Sequence, residues 1–356
     1  MSLLKRIGIT HPIIQAPMAG TATPAMAVAV SNAGGLGSVG IGAGDAEAGR
    51  KVIRAIREGT DKPFNVNLFV HEPFVSDTAR DAAWCKYLAP EFDKYGVAAP
   101  SGLRTIYGTL KTDKDMLAML LEEKPPVVSF HFGLPPPEVT KALKNYGAVL
   151  LASATSLEEA KACEAAGVDA VVAQGYEAGG HRGIFNPNGP DDQLSTASLV
   201  SLLTKSIGVP VIAAGGIMDG AGINAYLALG AAAAQLGTAF IDTTESAAPP
   251  AHRKALKEGG QHTRLVAAIS GRPARSVESN WTRLLDQIEK DGVQIAGYPN
   301  AYDLAKQLHG AASAKGDQAW GPFWAGQGAP LARQMGAAEL VETLLKEMKE
   351  VSRAKL

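Results

Sequence analysis

The residues Gln174-Gly175-Tyr176-Glu177-Ala178-Gly179-Gly180-His181-Arg182-Gly183 bring together the side-chain types that chemistry at a bound ligand needs. A side-chain amide offers both a donor and an acceptor, and an imidazole exchanges a proton near neutral pH. The glycines let backbone N–H groups approach a ligand with no Cβ in the way. This run follows Asp169-Ala170-Val171-Val172-Ala173, a short apolar stretch that reads as a fully buried strand. A strand that ends in Gln, a glycine-rich turn and His reads as a cofactor site with a proton-handling residue beside it.

The elements that must position these residues follow a simple rhythm. Eight short apolar runs read as buried strands: Ile13–Ala16, Gly37–Gly40, Phe64–Leu68, Val127–Phe130, Val149–Ala152, Ala170–Ala173, Pro210–Ala213 and Ala233–Leu236. Helical patterns follow most of them, among them Pro24–Ala33, Ala46–Arg57, Pro136–Asn145, Leu157–Ala166 and Ala221–Leu229. Alternating β and α predicts a parallel sheet, and eight units in about 240 residues predict a closed (β/α)8 TIM barrel, an α/β fold. An open doubly wound sheet is less favoured, because no unit carries GxGxxG with an acidic residue about twenty positions on.

Two stretches break the rhythm. Residues 69–125 form a long connection between the third and fourth strands. Residues 241–325 read as a small, mostly helical inserted domain that covers the site, with helices at His252–Glu258, Trp281–Lys290 and Ala301–Leu308. The barrel is expected from 1–240 and 326–356, completed by a last helix at Ala337–Lys349.

Barrels of this kind gather their functional residues at the C-terminal ends of the strands. Those ends carry Ala16-Pro17-Met18, Asn67, His131-Phe132-Gly133, Gln174 through His181, Gly215-Gly216 and Gln235-Leu236-Gly237-Thr238. The Gly215-Gly216 and Gly237-Thr238 turns follow the seventh and eighth strands, where barrels commonly bind phosphate through backbone N–H groups. The amides of Asn67 and Gln174 suit the alternating donors and acceptors of a flavin ring edge. Among the histidines, His181 stands at a strand end where no core needs filling and is the catalytic candidate. His71 and His131 also lie near strand ends, whereas His11, His252 and His309 sit in ordinary loop or helix contexts. Arg182 reads as a helper or a surface charge.

Composition bounds the partners. Of 356 residues, 46% are apolar and 19% charged, as in a soluble globular protein. A net charge of -1 gives no basic surface for nucleic acid. Cys85 and Cys163 show no metal-ligand spacing, and neither a signal peptide nor a membrane span is read, so a cytoplasmic protein is expected. Oligomeric state is not legible.

The segments Gln15-Ala16-Pro17-Met18, Asn65-Val66-Asn67, Gln174 through Gly183, Ala213-Ala214-Gly215-Gly216-Ile217 and Gln235-Leu236-Gly237-Thr238-Ala239 resemble nitronate monooxygenase, formerly 2-nitropropane dioxygenase. The stretch Ala296 to Lys306, together with Tyr107, resembles its class I enzymes. The resemblance implies non-covalent FMN held by Ala16, Pro17, Met18, Asn67, Gln174, Gly179, Gly180, Gly215, Gly216, Gln235, Gly237 and Thr238. It implies His181 as the active-site histidine, and Tyr107, His131, Tyr298, Tyr302 and Lys306 around the substrate. Tyr298, Tyr302 and Lys306 are spaced by four and share one face wherever that segment is helical.

The activity so implied is oxidation of alkyl nitronates, of the propionate 3-nitronate type, by O2 through a flavin semiquinone. The products are an aldehyde or ketone and nitrite. A protonated His181 would steady the nitronate oxygens, and a neutral one would remove a proton from a nitroalkane. Rival readings keep the flavin but use reduced nicotinamide, as an NAD(P)H:quinone reductase or an enoyl-thioester reductase. A regulatory flavin-binding protein and a sugar-phosphate barrel stand further off.

Overall fold

The computed structural model describes residues 1–353. In chain order the strands are β1 (Ile13–Gln15), β2 (Gly37–Gly40), β3 (Phe64–Phe69), β4 (Val127–His131), β5 (Val149–Ala154) and β6 (Ala170–Gln174). They continue with the two-residue β7 (Gly180–His181), then β8 (Val211–Ala214), β9 (Ala233–Leu236), β10 (Thr263–Val266) and β11 (Ala274–Val277). Eight of them form one parallel sheet in the order β1-β9-β8-β6-β5-β4-β3-β2. A parallel bridge between Ile14 and Leu36, just before β2, closes that sheet into a barrel.

Alternation along each strand builds the barrel. Ile14, Val127, Leu151, Val172 and Ile212 join one buried cluster with Leu3 and Ile7 of the short N-terminal helix. Their strand neighbours Ile13, Val128, Leu150, Ala152, Val171 and Ala213 join another, with Val30, Ile53, Leu199, Leu203 and Ile223 of the helices outside. A period-2 pattern with apolar residues on both faces is what a strand buried on both sides requires.

The helices begin at capping residues. Asp45, Asp113, Ser156, Ser195 and Asp219 each accept from a backbone N–H three residues on, satisfying donors that the first helical turn leaves free. The barrel matches the expectation, and strand ends move by only a residue or two. β5, for example, runs on through Ser153 to Ala154 because its ladder with β6 continues there.

The region after β9 adds a small antiparallel sheet to the expected helices. It contributes helices Pro250–Gly259, Asn280–Asp291 and Asn300–Ser313, but also the antiparallel pair β10 and β11. β7, from the loop after β6, pairs antiparallel with β11, His181 opposite Ala274 and Gly180 opposite Arg275. Strands of four and two residues carry too little pattern to be read locally, and their pairing across the chain decides them.

A further buried cluster lies outside the barrel. Trp84, Leu88 and Phe92, from helix Thr78–Asp93 in the long connection, pack there with Val266, Ile269, Trp281, Leu304 and Leu308. The roof over the barrel mouth is thus made from two distant stretches of chain. Among the described residues no helix is long and apolar enough to cross a membrane.

Candidate active site

A cavity of 520 Å³ opens at the C-terminal ends of the barrel strands, within the size range of small-molecule sites, about 300–1,000 Å³. Every residue assigned to cofactor or substrate on sequence grounds lines it. Ala16, Pro17 and Met18 follow β1; Asn67 lies in β3, His131 ends β4 and Gln174 ends β6. Gly179, Gly180 and His181 come next along the wall, then Gly215 and Gly216 after β8, Gln235 in β9, and Gly237 and Thr238 beyond it. Tyr107 enters from the long connection; Tyr298, Tyr302 and Lys306 enter from the roof.

One end of the cavity is rich in free donors. The amides of Gly216, Gly237 and Thr238 make no hydrogen bond among the described residues, and Thr238 opens a 3-10 turn. Gly216 has φ +71, a conformation that side chains disfavour. A Cβ on Gly179 would fall 2.4 Å from the amide nitrogen of Gly326, so the wall is closed tightly there.

The loop bearing His181 is held from below. Gln174 uses both ends of its amide: Nε2 donates to the His181 carbonyl at 2.9 Å, and Oε1 accepts from the Gly183 N–H at 2.7 Å. His131 Nε2 also donates to the His181 carbonyl, at 3.3 Å, and its Nδ1 lies 2.9 Å from Ser153 Oγ. Gln174 therefore shapes the loop as well as the cavity wall. Arg182 is not a surface charge: it is 1% exposed and lies beneath this loop. The sequence gives no hint of this, because its partner Asp191 sits in an irregular segment.

The imidazole of His181 stands in an aromatic box. The ring centres of Trp324, Phe132, Tyr298 and Tyr302 lie 5.1, 5.6, 5.9 and 6.1 Å away. Burial, reinforced by His131 and the Arg272 guanidinium, pushes the His181 pKa down to about 3. Burial among these rings thus favours the neutral imidazole. His131 is lowered to about 4, chiefly by burial. Burial also raises Tyr107 and Tyr302 to about 12, keeping both phenols protonated.

Tyr302 Oη accepts from Trp324 Nε1 at 3.3 Å. The hydroxyls of Tyr107 and Tyr298 make no hydrogen bond among the described residues. Lys306 Nζ lies 4.8 Å from the ring centre of Tyr107 and 5.2 Å from that of Tyr302. Tyr298 precedes helix Asn300–Ser313, so only Tyr302 and Lys306 share its face. Tyr298 reaches the same cavity from the turn before the helix.

Several site residues escape a sequence reading. His252 and His309, read as ordinary, both line the cavity. His252 is buried and its Nε2 donates to the Trp324 carbonyl at 3.1 Å. Each lies on a helix that the sequence foretells, but only the folding of the roof brings that helix to the cavity. Trp324 belongs to a loop with no recognisable motif. Phe132 was visible at a strand end; its φ of +76 is strained for an aromatic residue, and Arg272 stacks on its ring at 4.3 Å.

Comparison with known proteins agrees with this geometry. A profile described as nitronate monooxygenase matches residues 1–347. The nitronate monooxygenase of Paraburkholderia phytofirmans is 55% identical over 98% of this chain and 95% of its own. That of Pseudomonas aeruginosa is 51% identical over 96% and 97%. Among solved structures, nitroalkane oxidase from Streptomyces ansochromogenes superposes with a TM-score of 0.87 at 40% identity, covering 98% of each chain. FabK from Thermotoga maritima reaches 0.75 at 31% identity, covering 99% of this chain and 98% of its own. With the profile spanning nearly the whole chain and these relatives aligned end to end, the chain belongs to the nitronate monooxygenase family.

Proposed function

We propose that this chain binds FMN without a covalent bond and oxidises alkyl nitronates of the propionate 3-nitronate type with O2. The products are an aldehyde or ketone and nitrite. One observation carries the reading: a single cavity joins uncommitted backbone amides at one end to a buried histidine in an aromatic box at the other.

The residues fit a flavin mononucleotide. The free amides of Gly216, Gly237 and Thr238 suit its phosphate. Asn67 Nδ2 is spent on Ser129 Oγ at 2.8 Å, which leaves Oδ1 to accept from a ring edge. The amide of Gln235 makes no side-chain hydrogen bond among the described residues, and Met18 offers an apolar face. When bound, FMN supplies the one-electron acceptor and the route by which electrons reach O2.

The chain's own part is positioning, charge balance and proton transfer. Lys306, at the mouth, attracts the substrate carboxylate, and the phenols of Tyr107 and Tyr298 donate to its oxygens. The rings around His181 exclude water from the reacting carbon. A nitronate arrives already deprotonated and asks nothing of a base. A neutral nitroalkane must lose its α-proton, and neutral His181 accepts it.

The test uses the protein as purified. Heat release should yield FMN, and propionate 3-nitronate should drive O2 uptake and nitrite release without NADH. Rapid bleaching of the flavin by NADH, with no nitrite formed, would overturn the reading in favour of a nicotinamide-dependent reductase.

A further inference from the structure

His181 has two ring nitrogens, and the surrounding bonds distinguish them. Nε2 lies 2.8 Å from Ser270 Oγ. Nδ1 makes no hydrogen bond among the described residues, although the residue lines the cavity. Which nitrogen carries the proton depends on where the single hydroxyl hydrogen of Ser270 points.

That hydrogen has two possible acceptors. One is the Arg272 carbonyl at 3.1 Å; the other is His181 Nε2. Ser270 is fully buried and Arg272 is 3% exposed. The Arg272 carbonyl has no other donor among the described residues. Were the hydroxyl to point at His181, that buried carbonyl would be left unpaired, which proteins avoid. Pointing at the carbonyl pairs the hydroxyl, the carbonyl and His181 Nε2 together. Ser270 Oγ then accepts from the Arg272 N–H, 3.3 Å away, and from a proton on His181 Nε2.

We propose that Ser270 is a positioning residue that holds His181 as the Nε2–H tautomer and thereby makes Nδ1 the base toward neutral nitroalkanes. The inference rests on the proposed nitronate chemistry for its function, but not for the tautomer itself. In the step, the α-carbon C–H bond breaks and its proton moves to Nδ1. The electron pair left behind forms the C=N bond of the nitronate, and the charge rests on its oxygens. The imidazolium so formed keeps its Nε2–H on Ser270, whose hydroxyl passes the polarisation to the Arg272 carbonyl.

Imidazole 15N spectra of the holoenzyme read the tautomer directly, with the His181→Asn variant identifying the signals. A protonated Nε2 beside an unprotonated Nδ1 is expected; the reverse pattern overturns the proposal. Ser270→Ala should scramble that pattern and lower the ratio of nitroalkane to nitronate turnover by about tenfold, the effect of one lost hydrogen bond. Ser270→Thr should restore both. Equal loss on the two substrates overturns the positioning role. A protonated Nε2 in a protein whose nitroalkane turnover survives His181→Asn keeps the tautomer but sinks the base role, separating the two failures. If Ser270→Ala does not fold, the spectrum of the unaltered protein still decides.

Discussion

Arg182 and Asp191 meet in a two-point ion pair beneath the loop that carries His181: Nε donates to Oδ2 at 3.0 Å and Nη2 to Oδ1 at 2.8 Å. The remaining nitrogen, Nη1, donates to the carbonyls of Gln174 and Gly175, both at 3.0 Å. One guanidinium thus ties the end of β6 to the segment after His181. Removing one member of a buried pair leaves the other charged and unpaired, at a cost of about 3–5 kcal/mol. Arg182→Met should lower the denaturation midpoint accordingly, and Arg182→Lys should not restore it, because an ammonium lacks the fork. A melt unchanged from the parent would contradict this.

His181→Asn removes the proposed base but keeps a polar side chain. Turnover of neutral nitroalkanes should fall by about 10²–10⁴, the usual yield of general-base catalysis. Turnover of preformed nitronates should fall far less. The comparison needs both forms of one compound, assayed by O2 uptake; losses of equal size would remove His181 from the proton-transfer step.

Lys306 lies over the rings of Tyr107 and Tyr302, two of the three tyrosines that the resemblance implies around the substrate, and it forms no ion pair among the described residues. Lys306→Met should raise KM for propionate 3-nitronate roughly tenfold, the scale of one partly screened charge contact. A nitronate of equal length without the carboxylate should lose little. Parallel losses on the two substrates would mean that Lys306 reads the nitronate group or only packs against Tyr107 and Tyr302.

His252 makes stability depend on pH. Burial first, and Arg253 to a lesser degree, push its folded pKa to about 4 against the Trp324 carbonyl that raises it; the reference value is 6.5. Between those values the unfolded chain binds a proton that the folded chain refuses, so stability falls as pH drops through that window. His131 and His181 act in the same direction. Above about pH 6.5 all three are neutral in both states and contribute no slope. His252→Gln should therefore flatten the acid limb of a stability–pH curve, measured against the parent, and leave the slope above pH 7 alone. An unaltered acid limb would count against a buried neutral His252.

Much of the barrel and the site was legible because the signals are local. Ala170 to Gln174 is apolar, short and followed by glycine, and it is both a strand and the lead into the loop that carries His181. Gly215, Gly216, Gly237 and Thr238 could be placed because strand-end turns are spelled in adjacent residues. What escaped is non-local. Ser270 and Arg272 act on residues almost ninety positions earlier, and no pattern near them shows it. The loop carrying Tyr107 is fixed by Arg104, whose Nη2 donates to Asp303 Oδ1 at 2.8 Å from across the chain. β10 and β11 hold their shape through each other and β7.

The divided roof sets an order for biosynthesis. Trp84, Leu88 and Phe92 leave the ribosome roughly two hundred residues before Leu304 and Leu308, the side chains that bury them. At about 5–20 residues per second, that is a wait of roughly ten to forty seconds. Over that interval the helix that carries them is a greasy stripe with nothing to cover it, while the barrel is still being laid down alongside. A nascent chain of this protein is most exposed to mispairing then, and a chaperone that shelters it would be expected to hold residues 84–92.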